Sequence, residues 1–163
     1  MLGFSRSFQN GNLQSWWTTN DVAFFRLKSQ CFAKQYSNMK VYVPEFDRFY
    51  NVDGNYTLTE NIADRGGIKV AYAAYRKLVD EHGDEPRLPG LSFTPDQLFF
   101  LSTAQISCSV QHPWSLLERI ANGKHTPDHQ RVNGFLINSP EFAEAFQCPL
   151  GTEMNPIEKC DMW

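Results

Sequence analysis

Two carboxylates, Glu60 and Asp64, stand four residues apart in a segment whose apolar residues recur at helical spacing. Residues i and i+4 share one helix face, so both acids point the same way, about 6 Å apart along the axis. Ile68, Ala71, Tyr72 and Tyr75 continue an i, i+3, i+4, i+7 pattern that requires burial. Two readings are open for such a pair. At a solvated helix start the acids gain only from the helix dipole. Facing a cleft, they need a cation or strong donors and become candidates for ligation or proton chemistry. Downstream, by residue type alone, His125 is a loop histidine and Arg131 a surface arginine. A metal pair of His125 and His129 is opposed by Pro127, which stands against a helix presenting both on one face.

The elements that must position these residues are mainly helical. The acidic helix opens at Thr57 or Thr59 and runs to about Glu81. An earlier helix starts at Thr18 or Thr19 and ends near Met39, with Trp16 and Trp17 packing its entrance. Thr94-Pro95-Asp96-Gln97 is a capping box with proline at the first helical position, which predicts a buried helix over the apolar run 98–110. A short helix over 113–121 stops at Asn122-Gly123, and Ser139-Pro140-Glu141 opens another that reaches about Phe146. Residues 1–15 read as a polar connector with a turn at Asn10-Gly11-Asn12. Residues 41–53 read as an irregular loop with a short extended piece, 82–90 as a loop rich in Gly and Pro, and 149–163 as irregular. The expected architecture has little or no sheet.

At 163 residues the chain suits a single unit able to bury about 70% of its unfolded surface. Its 13 Phe and 4 Trp argue against disorder, and a net charge of −3 without a basic stripe argues against a nucleic-acid partner. No apolar run is long enough to span a membrane, and no signal segment follows Met1. Four cysteines occur without a C-x-x-C metal spacing, and Asn55-Tyr56-Thr57 has the form of a glycosylation sequon.

The run E-N-I-A-D-x-G-G-I-x-x-A-Y-x-A-Y, from Glu60 to Tyr75, resembles the third-ligand helix of the neprilysin-type zinc endopeptidases. Further blocks agree in order: Ser29-Gln30-Cys31, Leu88-Pro89-Gly90-Leu91, Gln97-Leu98-Phe99-Phe100-Leu101, His125-x-Pro127-x-x-x-Arg131-Val132-x-Gly134, Pro140-Glu141-Phe142, and Met154-Asn155-Pro156-x-x-Lys159-Cys160-x-x-Trp163. The likeness runs from Trp16-Trp17 to the last residue. It implies a mainly α fold: one partial domain, the C-terminal helical part of a gluzincin-like (thermolysin-like) catalytic domain, with long irregular loops.

The same resemblance implies roles. Glu60 falls on the third zinc ligand, and Asp64 on the aspartate that orients a zinc-bound histidine. His125 falls on the donor to the tetrahedral oxyanion, Arg131 on the residue that grips the bound peptide, and Ile106 on a wall of the substrate side-chain pocket. Cys31 and Cys160 fall on positions that pair, which implies oxidising surroundings. Cys108 and Cys148 fall on positions whose partners lie in a missing N-terminal segment, so they are expected free or mispaired. An extracellular chain, or the ectodomain of an anchored protein, is expected.

Several departures matter. Thr59 stands where the family usually has glycine, Gly123 where it often has an aspartate that helps hold the histidine, and Ser107 where a pocket tryptophan is common. H-E-x-x-H, the source of the other two zinc ligands and the general base, does not occur in this sequence. Zinc and peptide substrates are therefore expected for a complete enzyme, with no hydrolysis or tight zinc binding by this chain alone. A catalytically dead relative that binds peptides or proteins is the alternative. Apolar surfaces meant for missing segments are expected to be exposed.

Overall fold

The computed structural model describes the backbone of residues 7–9 and 12–14 and, in full, residues 17–162. The turn at Asn10-Gly11 and the packing of Trp16 lie outside the described residues. Strands β1 (Ser7–Gln9) and β2 (Asn12–Gln14) pair antiparallel within the expected connector.

Helix α1 (Thr19–Ser37) begins where the sequence places it. The Thr18 hydroxyl accepts from the Asp21 N–H at 3.1 Å, and the Asp21 carboxylate accepts from the Thr18 N–H at 3.0 Å, a closed capping box. Its buried face carries Ser29, Phe32 and Tyr36.

Residues 41–53 are more regular than expected. Strands β3 (Lys40–Val43) and β4 (Arg48–Asn51) form a hairpin with Val41 opposite Tyr50 and Val43 opposite Arg48. Val41 and Val43 point into the core while Tyr42 points out. Pro44 hides the hairpin in the sequence, yet it opens the 3₁₀ turn Pro44–Phe46 that joins the strands. Asp47, at φ 44°, turns the chain back. A two-valine alternation is too short to read as a strand before its partner is known.

Helix α2 (Leu58–His82) is the spine of the fold. Ile62 enters one apolar cluster with Phe32, Tyr36, Val41, Val43, Val52, Cys160 and Met162. Ile68, two turns on, enters a second with Phe100, Phe135 and Leu136. The Cys31–Cys160 disulfide forms as the resemblance implies and ties α1 to the tail across 129 residues. A loop of that length is worth about 5 kcal/mol in a chain-entropy account. Cys108 and Cys148 are free.

Helix α3 (Pro95–Gln105) has the Thr94/Gln97 capping box and Pro95 at its start. It is shorter than the expected apolar run and buries fully only Phe100. Ser107 and Cys108 close it with turn-type bonds to Ala104 and Gln105, and Ile106 and Val110 face outward. Ser and β-branched residues propagate a helix poorly, and Ser109 is drawn away by a bond to Asp128.

Helix α4 (Pro113–Asn122) stops at Gly123, and α6 (Pro140–Ala145) follows Ser139, both as expected. Between them α5 (Asp128–Leu136) is an addition to the expected elements. It lies very close to α1: a Cβ on Gly134 would stand 2.4 Å from the Tyr36 ring, so only glycine fits there. Phe24, Leu27, Val70 and Leu78 are large apolar side chains exposed on α1 and α2.

Candidate functional site

One face of α2 carries the site. Its N-terminal position, Thr57, does not cap with its side chain; the Thr57 hydroxyl donates to the Asp53 carbonyl at 2.9 Å. The Asp53 carboxylate in turn accepts from the Asn55 and Tyr56 N–H groups. The chain is thus wound tightly before Glu60 arrives in the first turn of the helix.

Glu60 and His125 face each other. His125 Nδ1 lies 3.6 Å from Glu60 Oε2, beyond hydrogen-bonding distance, and the side chains are 46% and 35% exposed. Among the described residues, the Glu60 carboxylate has no closer partner.

One turn later the arrangement changes. Arg131 donates from Nε to Asp64 Oδ2 at 2.5 Å and from Nη2 to Asp64 Oδ1 at 2.7 Å, a two-pronged pair that is 26% and 18% exposed. Hydrogen bonding to Asp64 holds the Arg131 guanidinium above its usual range, against the opposing effect of burial. Burial, reinforced by the charge of Asp64, drives the Tyr36 hydroxyl far above the ordinary tyrosine range.

Beyond this pair opens a cleft of about 470 Å³ between α2, α3 and α5. Ile68 and Ala71 of α2, Phe99 of α3 and Phe135 of α5 supply its apolar wall. Asp64, Arg131 and Asp128 supply its charged edge, and Ile106 stands at the rim. The structure therefore brings all five expected site residues, Glu60, Asp64, Ile106, His125 and Arg131, around one face of α2.

Three sets of polar residues went unread in the sequence. Asn61 and Thr126 are fully buried and joined by a 2.8 Å bond from the Thr126 hydroxyl to Asn61 Oδ1. Asp128 collects Arg119 at 2.5 and 2.9 Å, Ser109 at 2.5 Å and Gln111 at 3.2 Å. Burial works to raise the Asp128 carboxyl, but the donors from Arg119 and Ser109 together hold it below its ordinary value. The order Pro127-Asp128 is a helix-start signal that could have located this residue. Finally, Arg65 is 4% exposed, and its Nε and Nη1 have no hydrogen-bond partner among the described residues; nor has the buried Tyr36 hydroxyl.

The model of Peptidase family M13 matches residues 5–162. The chain belongs to peptidase family M13. It is 46% identical over 155 residues to endothelin-converting enzyme 1 of Cavia porcellus, covering 95% of this chain and 20% of that relative. With neprilysin-2 of Drosophila melanogaster the identity is 41% over 153 residues, 94% of this chain and 19% of the relative. The fold agrees with that of a zinc metalloprotease of Mycobacterium tuberculosis in its open state, with a TM-score of 0.82 and 28% identity over 94% of this chain and 24% of that one. A galactose-containing glycoprotein complex of Haemonchus superimposes with a TM-score of 0.80 at 35% identity, over 89% of this chain and 24% of the other. The chain spans about a fifth of the length of these M13 relatives.

The residues present fit one part of a zinc site. Glu60 is an accessible carboxylate whose nearest polar partner among the described residues is His125 at 3.6 Å, which leaves its oxygens able to take a metal ion. No group of three His, Cys, Asp or Glu among the described residues is placed to hold a metal ion. Nor is any described helix long and apolar enough to cross a membrane.

Proposed function

We propose that this chain supplies the third-ligand helix and the substrate-facing wall of an M13 zinc metalloendopeptidase, and that it does not hydrolyse peptides by itself. The observation that carries the reading is the ordered series along one face of α2. Glu60 stands open beside His125, Asp64 is locked to Arg131, and the cleft with Ile106 at its rim follows.

In this reading Glu60 is a zinc ligand, and the metal supplies an acidified water for attack on the peptide carbonyl. His125 is placed beside that ligand to donate a hydrogen bond to the oxyanion. Asp64 spends one lone pair of each oxygen on Arg131 and retains others for the ring N–H of a zinc-bound histidine. Arg131, with both of those N–H groups fixed, presents its remaining Nη1 edge to a peptide carbonyl or carboxylate. The two histidines and the general-base glutamate come from an H-E-x-x-H segment outside this sequence. The exposure of Phe24, Leu27 and other apolar side chains supports a surface that further segments of the peptidase would cover. In this reading the chain is secreted or presented on an ectodomain, which the Cys31–Cys160 bridge supports because such bonds persist in oxidising surroundings.

The test has two parts. The purified chain, dialysed against zinc-free buffer, should retain less than stoichiometric zinc and leave short apolar peptides uncleaved. Exchanged for the matching segment of endothelin-converting enzyme 1, residues 5–162 should give an active enzyme that Glu60→Ala abolishes. Inhibitor-sensitive turnover by the chain alone, or an inactive folded exchange, overturns the proposal.

A further inference from the structure

The resemblance expects an aspartate at position 123 to hold the histidine two residues on, and the structure leaves no room for one. A Cβ on Gly123 would stand 2.4 Å from the Arg119 carbonyl oxygen. His125 nevertheless stays beside Glu60, so something else places it. The residue after it, Thr126, is 0% exposed and is held twice. Its hydroxyl donates to Asn61 Oδ1 at 2.8 Å, and its carbonyl accepts from Arg119 Nη2 at 3.4 Å.

The hydroxyl bond is the end of a directional chain. Asn61 Nδ2 donates to Thr57 Oγ1 at 2.9 Å, and Thr57 Oγ1 donates to the Asp53 carbonyl at 2.9 Å. The Thr57 hydroxyl therefore both accepts and donates, the Thr126 hydroxyl donates, and the direction of the whole series is set by the Asp53 backbone carbonyl, which can only accept. Asn61 follows Glu60 and Thr126 follows His125. A single buried bond thus joins the second members of the two pairs.

We propose that the Asn61–Thr126 bond is the positioning device for His125: it fixes the histidine over the Glu60 carboxylate in the role that residue 123 cannot take. This rests on the proposed peptidase reading only for its catalytic consequence; the geometric claim stands on the buried bond.

The experiment separates the two. In the unaltered chain, NMR should show the Thr126 hydroxyl and Asn61 side-chain amide protons exchanging slowly and close to each other, with the His125 ring close to the Glu60 methylenes. Thr126→Val should remove the His125–Glu60 proximity while the Arg131 Nε–H signal, which reports its bond to Asp64, stays in place. Thr126→Ser should restore the proximity. In the enzyme carrying exchanged residues 5–162, Thr126→Val should lower kcat by about 10–100-fold, the scale of a misplaced catalytic group, with KM changed by less than about 2-fold and Thr126→Ser recovering the rate. Fast-exchanging Asn61 and Thr126 protons in the unaltered chain overturn the proposal whether or not the Val variant folds. So does a His125–Glu60 proximity that survives Thr126→Val. An exchanged enzyme that is inactive with its native residues defeats the peptidase reading and leaves the NMR result to decide the positioning claim.

Discussion

Glu60 and Asp64 are one turn apart on the same helix and live in different physical surroundings. Among the described residues the Glu60 carboxylate meets only His125, at 3.6 Å, at a third-exposed position. The Asp64 carboxylate is gripped on both oxygens by Arg131 at a site less than a fifth exposed. The difference comes from the partner elements. Asp64 faces α5, whose first turns bring a rigid guanidinium fork into register. Glu60 faces the loop 123–127, held one residue away from the histidine it presents. The two acids look alike in the sequence, and the fold gives one a tight partner and leaves the other open. In the proposed reading the open one takes the metal and the fixed one orients its neighbours.

The severest way to break this contrast is Asp64→Ala. It strands the part-buried Arg131 and should cost about 2–3 kcal/mol, the range for a lost hydrogen-bonded charge partner. Urea unfolding of the chain measures this, and a loss below about 1 kcal/mol would reduce the pair to an ordinary surface bridge. Coupling of Asp64→Ala with Arg131→Ala should recover most of that loss in the double variant.

Arg65 sharpens the comparison from the other side, as a guanidinium next to Asp64 in sequence whose Nε and Nη1 have no hydrogen-bond partner among the described residues. Arg65→Met keeps the apolar stem and removes the desolvated charge, so it should stabilise the chain by roughly 1 kcal/mol, read as a raised urea midpoint. An unchanged or lowered midpoint would show that the guanidinium finds compensation in solution.

Acid tests another carboxylate held by an arginine, Asp128. Asp128 has its folded pKa below the ordinary value of 3.8, so its contribution is present above that value and lost as pH falls through the depressed folded value. Urea midpoints should therefore drop more steeply below about pH 4 in the native chain than in Asp128→Asn.

The smallest expected effect belongs to Glu60. Glu60→Gln should leave stability within about 0.5 kcal/mol of native, the range for substitutions away from strong partners. A loss comparable with that of Asp64→Ala would erase the distinction between the two acids.

The sequence was most legible where a signal is local. The Thr18 and Thr94 starts, Pro140, the stop at Gly123, and the single helix face of Glu60 and Asp64 need only neighbouring residues. The β3–β4 hairpin was not legible, because two valines acquire a strand's alternation only when Tyr50 and Arg48 lie opposite them. Helix α3 was read too long because apolar content at 98–110 does not reveal that Ser109 is claimed by Asp128 from another element. The pairing of Cys31 with Cys160 came from the resemblance; spacing by itself does not select a partner among four cysteines.

By itself, then, the sequence determined that the chain is mainly helical, that Glu60 and Asp64 share a face, and which family it belongs to, because these depend on residue order within a helix turn or a motif. Only the tertiary structure decided that Arg131 closes on Asp64 and leaves Glu60 open, and that Thr126 bonds Asn61 while position 123 has no room for a side chain. Those two bonds join groups 65 or more positions apart in the chain, where distance is set by how α2, α5 and the loop between α4 and α5 pack, and packing has no local signature.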